Sequence, residues 1–257
     1  MKKTYIALIL IFISSLFLNA NAIEDEIVRL INLERSKSAL PPLPVNNRLN
    51  SLALYHSDNM AKNNFLSNID LEGLNSQGRQ VKLYPEMVGT VSEAFNKLDV
   101  IPFTDKLAAE QIVKNILSSP DYKRFVLSKD FNAIGVGSVK RGVGVLTTVT
   151  FANIIAESVN FKDTAKEGEE LNIQYRILNR APFSDFQVVI DVPDKNTQVQ
   201  GEDGKTYLGT VIYSVKDAGN TVVSTKFKAD YGKGEYKVSL LYKGKHFQSN
   251  VRTITVK

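Results

Sequence analysis

The chain has 257 residues, a formal net charge of +5 and no cysteine. The absence of cysteine excludes disulfide bonds, thiolate metal sites, a cysteine nucleophile and the acylated cysteine of a bacterial lipoprotein. Basic residues are interleaved with acidic ones, as in Lys162-Asp163 and Lys166-Glu167, so the charge pattern predicts a solvated surface and excludes a phosphate-binding stripe for nucleic acid.

The N-terminus has the features of an exported protein. Lys2 and Lys3 precede an apolar run over residues 5–18, and Ala20-Asn21-Ala22 follows. This order predicts a signal peptide, residues 1–22, that is cleaved after Ala22. An uncleaved membrane anchor fits less well, because the run is short for a full span. We expect export to the periplasm or the outside of the cell, with no transmembrane anchor after cleavage. The remaining 235 residues (257 minus 22) suggest two domains.

Two amphipathic helices are predicted next along the chain. The segment from Glu24 to Leu33 has an apolar sector and acidic residues at its start. The proline-rich segment 41–44 then forces an extended connection. Asn46 or Asn47 can cap a second helix. Its apolar stripe, at three- and four-residue spacing, consists of Leu49, Leu52, Ala53, His56 and Met60.

Two more helices are predicted before residue 130. Thr104 or Asp105 opens the first of them, and Ser119 can cap a short helix that begins at Pro120, where no amide donor is needed. The core stripe of the first consists of Ala109, Ile112, Val113, Ile116 and Leu117.

Strands are predicted at residues 133–139 and 143–155. The first contains Gly135 and Gly137, which allow neighbouring structure to approach closely. Residues 84–95 are interpreted as a loop. Helices and strands in this order predict an α+β fold.

From about residue 157 the sequence pattern changes to strict alternation of apolar and polar residues, separated by turn signals. About seven short strands in about 100 residues predict a β-sandwich of immunoglobulin-like type. The tryptophan and cysteines of true immunoglobulin domains are missing, so the prediction stays at the level of fold class. The clearest alternating segments are residues 171–177, 186–192 and 236–242.

Two motifs of the first half resemble a known family. Ser119-Pro120, Leu127, Phe131 and residues 134–137 match, without a gap, a signature of bacterial CAP-superfamily domains, the relatives of cysteine-rich secretory and pathogenesis-related proteins. Residues 58–65 match the helix ending D-M-A-K-N-x-F of the same family. The resemblance covers about residues 24–156. It implies a three-layer α-β-α sandwich over residues 23–156, followed by the β-sandwich domain at residues 157–257.

The resemblance also indicates which residues of this chain would line the family's cavity and which of them differ from the family's residues. In CAP relatives two histidines and one or two glutamates line a cavity that in some members binds a divalent metal. Asn68 and Tyr122 stand at the histidine positions, Ser119 stands where some eukaryotic relatives carry a second glutamate, and Glu93 keeps the first. A lone carboxylate is a poor substitute for imidazole ligands. We therefore expect a degenerate cavity with no metal and no cofactor.

Two polar residues have alternative interpretations. His56 is either a hydrogen-bonded core residue or a general base, with Ser57, Ser67 or Ser119 as nucleophile. Glu93 either has a structural role or acts alone as a general base after burial raises its pKa. The structural interpretation is favoured for both.

The sequence therefore predicts an exported, non-catalytic binding or interaction protein. Its partner would be a protein, a cell-wall component or a small hydrophobic ligand. One alternative is a hydrolase or peptidase that uses Glu93. Another is a carrier of a lipid or sterol, as attributed to some members of the superfamily.

Overall fold

The computed structural model describes residues 22–178, 181–201, 204–247 and 250–257. The predicted signal peptide lies outside the described residues except for Ala22. The chain divides into two compact units. The N-terminal unit comprises the described chain up to Gly73 together with Ser92–Ala152, and the C-terminal unit comprises Leu74–Val91 together with Asn153–Lys257.

The described helices and strands follow one another as an α/β succession and then a long run of strands. The helices are α1 (Ala22–Lys37), α2 (Asn47–Asn63), α3 (Ser76–Leu83), α4 (Asp105–Ser118) and α5 (Pro120–Val126). The strands of the first half are β1 (Met87–Leu98), β2 (Ala133–Arg141) and β3 (Gly144–Val159). The later strands are β4 (Thr164–Ala165), β5 (Glu170–Ile177), β6 (Phe186–Asp191), β7 (Gln198–Gln200), β8 (Thr206–Leu208), β9 (Thr210–Ser214), β10 (Lys216–Gly219), β11 (Val222–Lys228), β12 (Gly234–Tyr242), β13 (Lys245–His246) and β14 (Arg252–Val256).

Side-chain caps fix where the helices of the N-terminal unit begin. The Asn46 side chain accepts hydrogen bonds from two backbone amides of the first turn of α2. Thr104 accepts from Leu107 at the start of α4, and Ser119 accepts from Tyr122 at the start of α5. Each cap satisfies an amide that has no partner within its helix. The predicted helix starts are confirmed.

The strands of the N-terminal unit contact helices through both faces. β2 and β3 pair antiparallel from Ala133↔Ala152 to Arg141↔Gly144, and β3 also pairs with β1. Ile134, Val136 and Phe151 belong to the buried cluster formed with α1 and α4. The glycines of β2 alternate with these residues and lie against the backbone of α2. The close approach predicted at the glycines is therefore confirmed.

The interpretation of residues 84–95 as a loop is wrong, because Met87–Leu98 forms strand β1. The strand was hard to detect because it is buried on both faces, so it lacks a clean alternation. Ala94 and Leu98 pack in the cluster with α1 and α4. Glu93 and Phe95 alternate with them and face the other way. The preceding helix α3 was also missed.

Within the C-terminal unit, two sets of strands share one buried core. β5, β11 and β10 pair in one sheet, and β4, β14, β12, β6 and β9 pair in another. The cluster of buried side chains includes Tyr175 and Phe227 of the first sheet and Val188, Tyr236 and Ile254 of the second. The predicted strands at residues 171–177, 186–192 and 236–242 correspond to β5, β6 and β12.

Over the described residues, no helix combines the length and the apolar composition that a membrane crossing requires.

Candidate functional site

His56 lies in the middle of α2 and has no exposed surface. Its Nε2 atom lies 2.9 Å from the Ser67 carbonyl oxygen. A carbonyl oxygen can only accept, so Nε2 carries a proton. The ring also makes edge contacts with Phe65 and Phe95, each with 6.3 Å between centroids. The imidazole is therefore enclosed by aromatic rings and held by the backbone that follows α2.

The hydroxyl of Ser57 is equally buried and does not face the imidazole. Ser57 Oγ lies 2.8 Å from the Gly137 carbonyl oxygen and 2.9 Å from Thr148 Oγ1. These contacts connect α2 to both β2 and β3. Because residues i and i+1 of a helix point in different directions, Ser57 is not in position to be activated by His56.

Glu93 lies on β1 and is only 6 % exposed. The Thr150 hydroxyl of β3 donates a hydrogen bond of 3.3 Å to Glu93 Oε1. Thr148 and Thr150 alternate with Val149, which packs in the cluster with α1 and α4, so both threonines face α2. Glu93 is thus part of a polar layer between the strands and α2.

Ser119 directly precedes α5, and Tyr122 lies in the first turn of that helix. The Ser119 hydroxyl accepts the amide of Tyr122 at 3.4 Å and so serves as the helix cap. The Tyr122 ring is half-buried and lies 5.7 Å from the ring of Phe95, edge to face. Burial raises the pKa of the Tyr122 phenol, and a hydrogen bond from the Phe95 backbone partly offsets that rise.

The structure brings some of the candidate residues together through Phe95. Ring contacts lead from His56 to Phe95 and on to Tyr122, and Glu93 precedes Phe95 by two residues on the same face of β1. Asn68 is exposed and lies in the segment after Ser67. Phe95 was not identified from the sequence. Its alternation with Glu93 along a strand was the available signal.

These donors do not fit a transition-metal site. Among Asn68, Glu93, Ser119 and Tyr122 there is one carboxylate and no imidazole, whereas zinc and copper sites need several nitrogen, sulfur or carboxylate ligands. The carboxylate already accepts from Thr150. Across the described residues, no three His, Asp or Glu side chains are grouped so that they could hold a metal ion.

A separate cavity of about 350 Å³ lies within the N-terminal unit. None of the candidate residues lines it. Its apolar walls come from the end of α2, from β1 and from the start of β3, and its rim carries charged side chains. The lining residues are Met60, Asn64, Phe65, Leu66, Lys97, Leu98, Asp99, Arg141, Gly144, Val145 and Leu146.

Comparison with known proteins finds similarity over the first half of the chain. The CAP model, described as the cysteine-rich secretory protein family, matches residues 28–152. The uncharacterized protein YkwD of Bacillus subtilis is 27% identical over 124 residues, which are 48% of this chain and 45% of that protein. The chain therefore spans less than half the length of that relative.

Two solved structures are similar at low sequence identity. An outer surface protein of Borrelia burgdorferi has a TM-score of 0.46 and 17% identity, and the match covers 53% of this chain and 96% of that one. An extracellular protein of Bacillus anthracis that contains an SCP domain has a TM-score of 0.41 and 24% identity. That match covers 49% of this chain and 39% of the other.

Proposed function

Starting from the match of residues 28–152 to the CAP family model, we propose that this chain is an exported binding protein whose CAP domain acts as a scaffold and not as a catalyst. Export is inferred from the basic start, the apolar run and the Ala20-Asn21-Ala22 sequence of the N-terminus.

The observation that carries the proposal is the enclosure of His56. Its ring has no exposed surface, it donates to the Ser67 carbonyl, and the aromatic rings of Phe65 and Phe95 lie against it. A general base must reach the proton that it abstracts, directly or through one water. A buried imidazole held in this way stabilises the fold and is poorly placed to meet a substrate.

Tyr122 adds a second line of support. It occupies the position where the family has a histidine, and its ring packs on Phe95. A phenol with a raised pKa stays neutral near pH 7 and is a weak ligand for a metal cation. The loss of the imidazole thus coincides with aromatic packing in its place.

Metal titration of the processed protein tests this proposal. We expect no zinc binding by calorimetry at neutral pH. We expect the double variant Asn68→His/Tyr122→His to bind zinc more tightly than the unmodified protein does. Tight binding of zinc by the unmodified protein, lost in Glu93→Gln, would contradict the scaffold proposal.

A hydrolase screen tests the enzymatic alternative. Peptide and ester substrates should give no turnover above the level of Glu93→Gln, which keeps an oxygen acceptor for Thr150 but removes the carboxylate. The protein would be established as an enzyme if its turnover disappeared in Glu93→Gln while the free energy of unfolding of that variant stayed unchanged.

The cavity of about 350 Å³ supports a second candidate function, the binding of a small hydrophobic ligand. Buried apolar side chains such as Met60, Leu98 and Leu146 form its walls. Mass spectrometry of an organic extract of the protein from its native host should reveal the ligand. Leu66→Arg at the cavity should abolish its capture, whereas Leu71→Arg, at an exposed residue outside the lining, should not. An empty extract from the host protein would remove this candidate.

We also propose that residues 157–257 form an immunoglobulin-like accessory domain. The shared core of the two sheets of the C-terminal unit supports this proposal. Exposed strand edges could then add a strand from a partner protein.

A further inference from the structure

Four large apolar side chains are exposed at one surface of the N-terminal unit. Phe103 is 104% exposed, Val143 72%, Val100 69% and Leu107 48%. Phe103 and Val100 lie in the connection between β1 and α4, Leu107 lies in the first turn of α4, and Val143 lies in the turn between β2 and β3. We call these four residues the Phe103 surface.

A backbone hydrogen bond holds the two connections side by side. The amide of Ile101 donates to the Val143 carbonyl at 2.7 Å. The Thr104 cap fixes the start of α4 directly after Phe103, with its hydroxyl accepting the Leu107 amide at 3.2 Å. The backbone segments that carry the four apolar side chains are therefore adjacent. Isolated exposed apolar residues are ordinary, whereas a contiguous group indicates an interaction site.

Basic side chains flank the Phe103 surface. Lys97, the last residue but one of β1, forms an ion pair with Asp99 at 2.7 Å, and Lys140 of β2 lies 3.8 Å from Asp105. Arg141, directly before the turn that carries Val143, donates to the neutral amide oxygen of Asn64 at 3.0 Å. The group of three cations and two carboxylates keeps a net positive charge.

From this arrangement we infer that the Phe103 surface binds the interface of a lipid bilayer that contains anionic lipids. An aromatic side chain that is fully exposed on a protruding connection can enter the interface without any change of fold. Long basic side chains beside it can remain at the headgroup level. A protein partner would instead be expected to meet a surface with a pocketed, partly buried apolar centre, and Phe103 is not recessed.

The absence of tryptophan from the chain allows a direct test. The processed protein should be used, with its N-terminus verified by mass spectrometry, because an uncleaved apolar leader would bind vesicles by itself. Phe103→Trp then provides a single fluorescent reporter. With vesicles of phosphatidylcholine and phosphatidylglycerol, we expect its emission to shift to the blue and to become protected from aqueous quenchers. Leu208→Trp, at an exposed leucine of β8 in the C-terminal unit, should show neither change.

Co-sedimentation with the same vesicles measures the strength of binding. Phe103→Asp should reduce the partition coefficient about tenfold or more, as expected for the loss of one buried aromatic side chain, and Leu208→Asp should leave it unchanged. Arg141→Gln should reduce binding to the anionic vesicles by about fivefold, the contribution of one basic residue near such a surface, and should have less effect on pure phosphatidylcholine.

Two results would overturn the inference. One is equal sedimentation of the unmodified protein with and without vesicles. The other is a blue shift of Phe103→Trp that follows protein concentration without lipid, since that result would assign the Phe103 surface to contact between two copies of the chain.

Discussion

Gly137 of β2 lies directly against the backbone of Leu54 in α2. A Cβ atom on Gly137 would be 2.2 Å from the Leu54 amide nitrogen, and a Cβ on Gly135 would be 2.2 Å from the carbonyl carbon of Leu49. The helix carrying His56 therefore rests on the strand at backbone contact, which requires glycine at both positions.

We predict that Gly137→Ala destabilises the protein by about 3 kcal/mol, the upper part of the range for overpacked sites. The added methyl group meets backbone atoms, which cannot move aside as a flexible side chain can. Urea unfolding measures the effect. Gly142→Asn is the control, because Gly142 has open space around its Cβ position and a φ of +59° that asparagine tolerates. Equal stability of Gly137→Ala and the unmodified protein would show that α2 does not pack this closely.

A second prediction concerns Arg35 of α1, whose buried guanidinium is hydrogen-bonded to two other segments of the chain. Nε donates to the Pro41 carbonyl at 2.9 Å, and Nη1 donates to those of Val126 and Ser128 at 2.8 and 2.7 Å. Arg35→Lys keeps the charge but loses this geometry, so we expect a loss of roughly 3 kcal/mol in the free energy of unfolding.

Arg29→Lys is the matched control for this prediction. Arg29 forms an exposed ion pair with Glu26 on α1 at 2.7 Å, and exposed pairs contribute little to stability. Its replacement should leave the unfolding midpoint unchanged. If both arginine variants behaved alike, the buried bonds of Arg35 would have no special role.

The features predicted correctly from the sequence are those set by nearby residues. Asn46, Thr104 and Ser119 cap helices through amides within three residues of themselves, so the signal is local. Strand β1 was missed because its burial depends on helices that pack on it from distant parts of the chain. Glu93 was consequently placed in a loop, although it lies on a strand.

The side-chain contacts around the candidate site could not be predicted from the sequence. The resemblance pointed to Glu93 and Tyr122 as candidates. The alternation of Phe95 with Glu93 indicates only that the two share a face of a strand, and it does not predict that Phe95 lies between Tyr122 and His56. The partner of Glu93, Thr150, is 57 residues away along the chain. Such contacts depend on strand pairing and on the packing of α2, which a single sequence does not specify.

A third prediction concerns Asn250, which is buried within the C-terminal unit. Its side-chain amide donates to the Met87 carbonyl at 2.6 Å and to Gln80 Oε1 at 3.2 Å, and its oxygen accepts the Gly89 amide at 3.3 Å. Asn250→Ala leaves these buried groups without that partner. We expect it to lower the free energy of unfolding by about 3 kcal/mol. Urea unfolding of Asn250→Ala should be compared with that of Asn196→Ala, whose side chain is exposed. Similar stabilities for the two variants would show that the Asn250 bonds contribute little.

The fourth prediction compares two buried tyrosines of the same core. The Tyr175 hydroxyl finds no hydrogen-bond partner among the described residues. The Tyr236 hydroxyl donates to the Gly232 carbonyl at 2.8 Å and accepts the Tyr231 amide at 3.0 Å. At neutral pH, Tyr175→Phe should therefore stabilise the protein by about 1 kcal/mol, and Tyr236→Phe should destabilise it by a similar amount.

The dependence of stability on alkaline pH tests whether burial of the Tyr175 hydroxyl is the cause of the effect of Tyr175→Phe. Burial raises the pKa of Tyr175 well above its ordinary value. The folded state therefore holds the phenolic proton more tightly than the unfolded state. This difference in proton binding contributes fully to the free energy of unfolding below a pH of about 10, the ordinary tyrosine pKa. That contribution falls as the pH rises above this value, because ionisation then favours unfolding. Unfolding measured across this range should show a smaller alkaline loss in Tyr175→Phe than in the unmodified protein, and parallel curves would mean that the Tyr175 hydroxyl reaches water.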